Sequence, residues 1–563
     1  MEFHVTFDFG DDILYAKRDW TEEYLREFVR GFAERGISAV HMLHTFDGAR
    51  LISRDGDTRY WDFMDRVNNP LAVVADECHK QGMKFIAVIK PNDRGGGMPF
   101  SPRPVTFNSK GELEQDFLGG KYRHGHPWVL EHQNMKPELQ PALQEKEPRK
   151  PVGVLRLWHE GPNLKGTNFK IYTSKDNLEY FPYTGPQKIR ISEQKRRPPV
   201  YAPYPERLFG PEGTFTCVEF SGLKLDAPFF AVEAEGGTEL ANTLSALTEM
   251  IDIDAKEAVF TYGLTPLIAT LLEQSQSENW KNNGIAFDAA KGSDVPGRGY
   301  HYMSSGGRHR HEVGKRAFIG FARGKNRYLR GVLELAYPEA RAFCVKTAET
   351  ALDSGADMVD IRLNSHEESL DWENYGFGGS IAAEYKKRYG KDITKEPFDR
   401  SLWRKLRGEY ITQTIKEMGD AVRSRGKKVS VQLFTNFNHP AEELCWMEFF
   451  WDWKNWISSG LVDSATLAGF GFKQPFYREA IDSCRSAGVP LIMTPAAFDL
   501  DDAGWKEYGP EFFDHCEQDG FAAFNIYESS SVSLLDTDGI RFTCPSLWKM
   551  VGERKGQIRN SKH

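Results

Sequence analysis

The chain has 563 residues, of which 40% are hydrophobic, 13% aromatic and 27% charged. At roughly 100–200 residues per domain this length holds several units, or one large barrel with an insertion, and the core-forming content excludes a disordered chain. With 72 Lys and Arg against 80 Asp and Glu, the formal net charge is −8, so no bulk positive field exists to hold nucleic acid or an anionic lipid surface. The seven cysteines are scattered without a CxxC spacing, which argues against a disulfide framework or a zinc knuckle. No apolar run approaches the ~20 residues that span a bilayer. Met1-Glu2-Phe3-His4-Val5 reads as a strand start rather than a secretory signal. The expectation is a cytoplasmic protein, or a periplasmic or secreted one if the chain is a mature form.

The first 94 residues follow a strand–helix rhythm. Residues 4–9 read as strand one, ending in Gly10-Asp11-Asp12. Residues 21–35 read as a helix, with Thr21 as N-cap, acids in the first turn and Gly36 after the end. Residues 38–46 are strand two. A helix over 70–81 opens on Pro70 and stops at Gly82. Residues 84–91 form strand three, a nearly continuous apolar run that suits a parallel strand covered on both faces.

Residues 95–315 then break the rhythm and read as an insertion. Within it, short alternating runs such as Val154-Leu155-Arg156-Leu157 and Phe169-Lys170-Ile171-Tyr172 predict a small antiparallel β module over about 152–235. Residues 238–252 read as a helix and 292–315 as a Gly- and His-rich loop. The rhythm resumes over 316–550. Helices are expected over 338–354, 401–425, 475–487 and 509–518. Strands four to eight fall at 358–364, 428–434, 462–468, 489–494 and 520–527. Residues 551–563 are a C-terminal tail. Eight strand–helix units make an α/β chain, a (β/α)8 TIM barrel with a large β-rich insertion after strand three.

Such a barrel builds its site from the C-terminal ends of its strands. That criterion selects Asp8 after strand one, His44 after strand two, Lys90 and Asp93 after strand three, Asn436 after strand five, and Tyr527 and Glu528 after strand eight. Strand four is the richest. Val359, Ile361 and Leu363 alternate with Asp360, Arg362, Asn364 and His366, so period two puts the polar set on one face. Polar groups facing the barrel interior are costly unless paired or wet. Arg362 beside Asp360 lowers the carboxyl pKa, which suits a nucleophile. The competing reading of the same pair is a structural ion pair in the barrel core. Glu528, just past a buried strand, suits a general acid, and Glu367 competes with it for that role. Two carboxyl groups flanking one bond are what glycoside hydrolysis requires. An anionic sugar would also meet Lys90 and Arg94. His309-Arg310-His311 reads as a solvated loop rather than a metal site, and no phosphate-binding glycine frame accompanies Gly95-Gly96-Gly97.

The stretch Gly355-Ala356-Asp357-Met358-Val359-Asp360-Ile361-Arg362, then His366, Tyr375-Gly376-Phe377 and Tyr385 to Ile393, is similar to the glycosyl hydrolase-like 10 family of bacterial (β/α)8 proteins. Ala336-Tyr337-Pro338-Glu339-Ala340-Arg341 resembles the step that opens the preceding helix. The resemblance covers about half the chain and leaves out 95–315. It implies polysaccharide hydrolysis by acids at strand ends; separately, no cofactor is expected. Strand seven departs from it: Met493-Thr494-Pro495 lacks the Glu of many retaining barrel glycosidases.

The expected function is therefore a glycoside hydrolase acting on an oligo- or polysaccharide. Asp360 is the nucleophile or base and Glu528 or Glu367 the acid. Asp8, His44, Lys90, Asp93, Arg362, Asn364, His366, Asn436 and Tyr527 position the sugar. A carbohydrate-binding barrel without turnover and a metal-dependent barrel hydrolase or lyase are the alternatives. Carbohydrate is the one partner expected, with neither nucleic acid nor membrane. The role given to Asp360 requires its carboxylate to reach the rim.

Overall fold

The structure, a computed structural model, describes residues 1–8, 12, 16–43, 50–51, 63–64, 66–96, 124–144, 150–159, 164–174, 181–196, 213–227, 229–234, 247–254, 287–288, 317–322, 327–329, 331–363, 374–434, 445–446, 448–469, 475–495 and 500–560.

Eight parallel strands close into a barrel. They are β1 (Glu2–Phe7), β2 (Ala39–Leu43), β3 (Lys84–Ile89), β4 (Met358–Ile361), β5 (Lys428–Phe434), β6 (Ser464–Ala468), β7 (Leu491–Thr494) and β8 (Ala523–Ile526). Local signals set the helices between them. Thr21 accepts a hydrogen bond from the Tyr24 amide and caps helix Glu22–Glu34. Leu25, Phe28, Val29 and Phe32 recur at helical spacing and are buried, each worth about 1.5–3 kcal/mol of burial. The helix stops where Gly36 takes φ 95°, a conformation that costs glycine little. Asp399 caps the longest helix, Arg400–Ser424, through the Ser401 and Leu402 amides. At the N-terminal face, Asp357 accepts from the Phe85 amide at 3.0 Å and Asp463 from the Val429 amide at 2.9 Å, tying strand starts together.

Side-chain alternation divides the barrel into two layers. Phe3, Val5 and Phe7 of β1, Val359 and Ile361 of β4, and Phe524 and Ile526 of β8 belong to the apolar core shared with the helices. The alternate residues face the lumen. Register aligns Thr6 with His41, His4 with Asn525, and Asp360 with both Val88 and Ser430. Barrel interiors are usually filled with Val, Ile and Leu; this one is largely polar.

The insertion is larger than the sequence pattern predicts. One antiparallel sheet runs in the order Lys188–Arg196, Gly213–Leu225, Val152–His159, Leu247–Asp252. A second runs Phe287–Asp288, Ala317–Ala322, Phe229–Ala234, Phe169–Ser174, Phe181–Pro182. Val152, Leu155, Leu157, Val218 and Phe220 from the first share a core with Phe169, Ile171 and Val232 from the second. Three expectations are corrected. Residues 551–560, expected as part of a tail, continue the helix Pro545–Asn560, which buries Val551 in the barrel's apolar core. Residues 247–252 form a strand, not the end of a helix, because their backbone pairs with Val152–His159. Residues 317–322 pair with Phe229–Ala234 and belong to the sandwich, so the barrel resumes after them rather than at 316. Residues 292–315 lie outside the described set.

Candidate active site

Strand alternation carries four residues of the lumen face to the C-terminal mouth: Asp8 beyond β1, Lys90 beyond β3, Arg362 beyond β4 and Tyr527 beyond β8. Glu528 follows, with its backbone carbonyl accepting from the Ser531 hydroxyl at 2.7 Å and its carboxylate from the Ser530 hydroxyl at 3.5 Å. The short helix Ser529–Val532 begins there. The Tyr527–Glu528 peptide bond is cis.

The acids gather between the ends of β1 and β8. Asp12 is buried and accepts a hydrogen bond from the Ser529 hydroxyl at 2.5 Å. Its amide donates to the Asp8 carbonyl at 3.0 Å. Burial, reinforced by the charges of Glu528 and Asp8, pushes the Asp12 carboxyl well above the usual carboxylate range and outweighs the Ser529 bond. Its surroundings therefore favour the protonated form. Burial, then the charges of Glu528 and Asp8, raises the Tyr527 phenol, which hydrogen-bonds to Glu528. The sequence places Asp12 among the acids at the end of strand one but does not single it out, because its partner Ser529 lies 517 residues away in the chain.

Asp360 is corrected. Its carboxylate is fully buried, one layer beneath the mouth, with Oδ2 bonded to Arg362 Nε at 2.9 Å. A sealed, ion-paired carboxylate has no approach to a sugar, so the core ion-pair reading of that pair applies and the role of nucleophile does not. Burial pushes its pKa up, but the Arg362 guanidinium, with His41 on its other side, holds it down at about 2. Arg362 also donates to Thr6 Oγ1 at 3.3 Å and lies over the Tyr527 ring, 5.7 Å from its centroid. Asn525 donates to Thr6 at 2.8 Å and to Thr494 at 3.0 Å, bracing the same layer.

Lys90 and Asp93 form a buried ion pair at 3.3 Å, and Asn92 donates to the Leu363 carbonyl. His44, Asn364, His366, Glu367 and Asn436 lie outside the described residues. His4 and His41, buried in the lumen at 3.0 Å from each other, were not predicted. Among the described residues, no group of three or more His, Cys, Asp or Glu side chains is gathered as a metal site, and no helix is long and apolar enough to cross a membrane.

No protein-family model matches the chain, and no curated protein matches it by sequence. Among solved structures it is similar to a β-galactosidase from the psychrophilic Marinomonas ef1, with 9% identity and TM-score 0.43 over all of this chain and 60% of the other. The chain thus spans about 60% of that enzyme's length. The catalytic domain of β-amylase from Paenibacillus polymyxa matches at 8% identity and TM-score 0.36, over 94% of this chain and 93% of that one. An endo-β-1,4-mannanase from Thermotoga petrophila matches at 15% identity and TM-score 0.19, over 34% and 52%. A morphinone reductase matches as well, at 12% identity and TM-score 0.21, over 37% and 49%. Likeness this distant assigns neither substrate nor residue.

Proposed function

We propose that this barrel is a glycoside hydrolase of the glycosyl hydrolase-like 10 type, cleaving an oligo- or polysaccharide with two carboxyl groups at the mouth. Glu528 is the general acid, and Asp8 is the carboxylate across the gap between β1 and β8. Glu367 remains the rival of Glu528 for the role of acid. The observation that carries this reading is that Glu528 and Asp8 both act on the Tyr527 phenol and on the Asp12 carboxyl, raising the proton affinity of each. Glycoside hydrolysis needs one carboxyl that gives a proton to the leaving oxygen and one that attacks or activates water. Arg362, fixed by Asp360, contributes a cation beside that pair, whereas Lys90 is held in its buried ion pair with Asp93. The Arg362 charge supports a sugar that carries carboxylate or sulfate groups.

The test is turnover of a panel of neutral and uronate-containing oligosaccharides by the wild type, Glu528→Gln and Asp8→Asn. Losing a general acid or base typically costs about 10²–10⁴ in rate, so both variants should fall in that range while melting like the wild type. Wild-type rates in both variants would remove these residues from the mechanism. Saturable glycan binding without any product would replace the hydrolase with a carbohydrate-binding barrel.

A further inference from the structure

A line of side chains runs up the lumen from the N-terminal face to Arg362. Glu2, half exposed at that face, places Oε2 3.2 Å from His4 Nε2 and 3.3 Å from Lys84 Nζ. His4 Nδ1 lies 3.0 Å from His41 Nε2. His41 Nδ1 then faces Asp360 Oδ2 at 3.7 Å. That is too long for a hydrogen bond, and His41 Nδ1 has no hydrogen-bond partner. Asp360 Oδ2 instead accepts from Arg362.

Counting protons accounts for these distances. Two neutral imidazoles carry one N–H each, and three contacts need one: Glu2 with His4, His4 with His41, and His41 with Asp360. When His4 Nε2–H donates to Glu2, its Nδ1 must accept from His41 Nε2–H. His41 Nδ1 is then a bare lone pair opposite a carboxylate. The two short contacts and the open one fit this arrangement. The reverse arrangement points both N–H groups toward Asp360 and leaves His4 Nε2 as a lone pair facing Glu2. One added proton closes all three contacts.

We propose that His4 and His41 form a two-position proton switch inside the barrel, set by Glu2 at the N-terminal face, and that His41 is a positioning residue for Arg362 at the mouth. In the resting position both N–H groups point toward Glu2, and Asp360 Oδ2 belongs to Arg362 alone. The guanidinium is then fixed against Thr6 and the Tyr527 ring. When a proton from solvent enters at the Glu2 end, His41 Nδ1–H competes for Asp360 and the hold on Arg362 loosens. The charged groups facing the pair are Glu2 and Lys84 from one end and Asp360 and Arg362 from the other. Lys84 and Arg362 oppose the added proton, while Glu2 and Asp360 favour it. Burial holds His41 down at about 4, against the pull of Asp360, so the pair is neutral at neutral pH, and the two short contacts beside the open one select the resting position.

The switch does not depend on the glycosidase reading, because imidazole nitrogen NMR on the full chain reads it without substrate. The wild type at neutral pH should carry the proton on Nε2 of both His4 and His41. Glu2→Gln weakens the acceptor at one end only, and should move the proton to Nδ1 in both rings together, with a shift of the Arg362 Nε–H signal. Acid titration of the wild type gives the same information without substitution: one proton should enter for the pair and move both rings at once. A wild-type proton on His41 Nδ1, unchanged tautomers in Glu2→Gln, or independent titration of the two rings would each overturn the switch. Once a glycan substrate is in hand, Glu2→Gln should displace the acid limb of kcat/KM, which a purely structural Glu2 would not. Failure of every glycan would sink the hydrolase reading and leave the tautomer result standing.

Discussion

Replacing Asp360 with asparagine keeps the side-chain shape and removes one charge from a pair whose side chains are 0% and 1% exposed. Arg362 then sits in the lumen with Thr6 and the Tyr527 ring but no bonded carboxylate. Stranding one partner of a buried ion pair costs about 3–5 kcal/mol. Proton affinity gives a separate figure. Holding the Asp360 carboxyl at about 2 rather than 3.8 corresponds to about 2–3 kcal/mol of stability at neutral pH. Urea unfolding at pH 7 should therefore show Asp360→Asn less stable by about 2–5 kcal/mol, at unchanged m-value. The folded carboxyl is held below its unfolded value, so on acidification the unfolded chain takes up the proton first. The stabilisation is complete above about pH 4 and is lost as the pH falls toward 2. The gap between wild type and variant should accordingly stay constant from neutral pH to about 5 and close below 4. Adding Arg362→Met should recover part of the loss, since removing both partners leaves no bare charge. A wild-type midpoint for Asp360→Asn at pH 7, or a gap that widens in acid, would refute the ion-pair reasoning.

Two further substitutions test the frame that holds the mouth. A Cβ at Gly408 would run into the Phe450 carbonyl oxygen, and backbone cannot swing aside, so Gly408→Ala should cost about 1–3 kcal/mol; an unchanged thermal midpoint would show that the helix and the Phe449–Phe450 strand do not touch there. Asp399→Ala removes the acceptor for the Ser401 and Leu402 amides and should lower stability by about 1 kcal/mol, with Asp399→Ser retaining most of it; equal losses for both would mean the cap is not the cause.

The barrel was legible because each of its strands is a short apolar run between glycine-punctuated helices, a pattern that needs no long-range information. The lumen was half legible. Val359 and Ile361 alternating with Asp360 and Arg362 flagged strand four, yet the same period two runs through Glu2, His4, Thr6 and Asp8 against Phe3, Val5 and Phe7. Applied to strand one, it points to the histidine that contacts His41. What alternation cannot supply is depth. Asp360 and Arg362 share a face, but only the register with Val88 and Ser430 places the aspartate a layer below the rim. Residues 247–252 were misread for a related reason: Leu, Thr, Glu and Met satisfy helix propensity locally, and pairing with a strand almost a hundred residues earlier overrides it.

A polar lumen is an expensive choice for a closed barrel, because each charged pair inside it gives up solvation that a Val or Leu layer would not. The apolar layer between the strands and the helices supplies the burial that offsets that loss. What the interior gains is a guanidinium whose direction is fixed before any ligand arrives. Arg362 is bound from below by Asp360, from the side by Thr6 and from above by the Tyr527 ring. The same phenol hydrogen-bonds to Glu528, and Glu528 in turn raises the affinity of Asp12 for its proton. Charge at the mouth is thus tied to charge in the layer beneath it through groups already in contact. Residues that never touch a sugar, Asp360 first among them, should therefore change rate as well as stability, whereas an equally buried apolar residue of the outer layer such as Val359 should change stability alone.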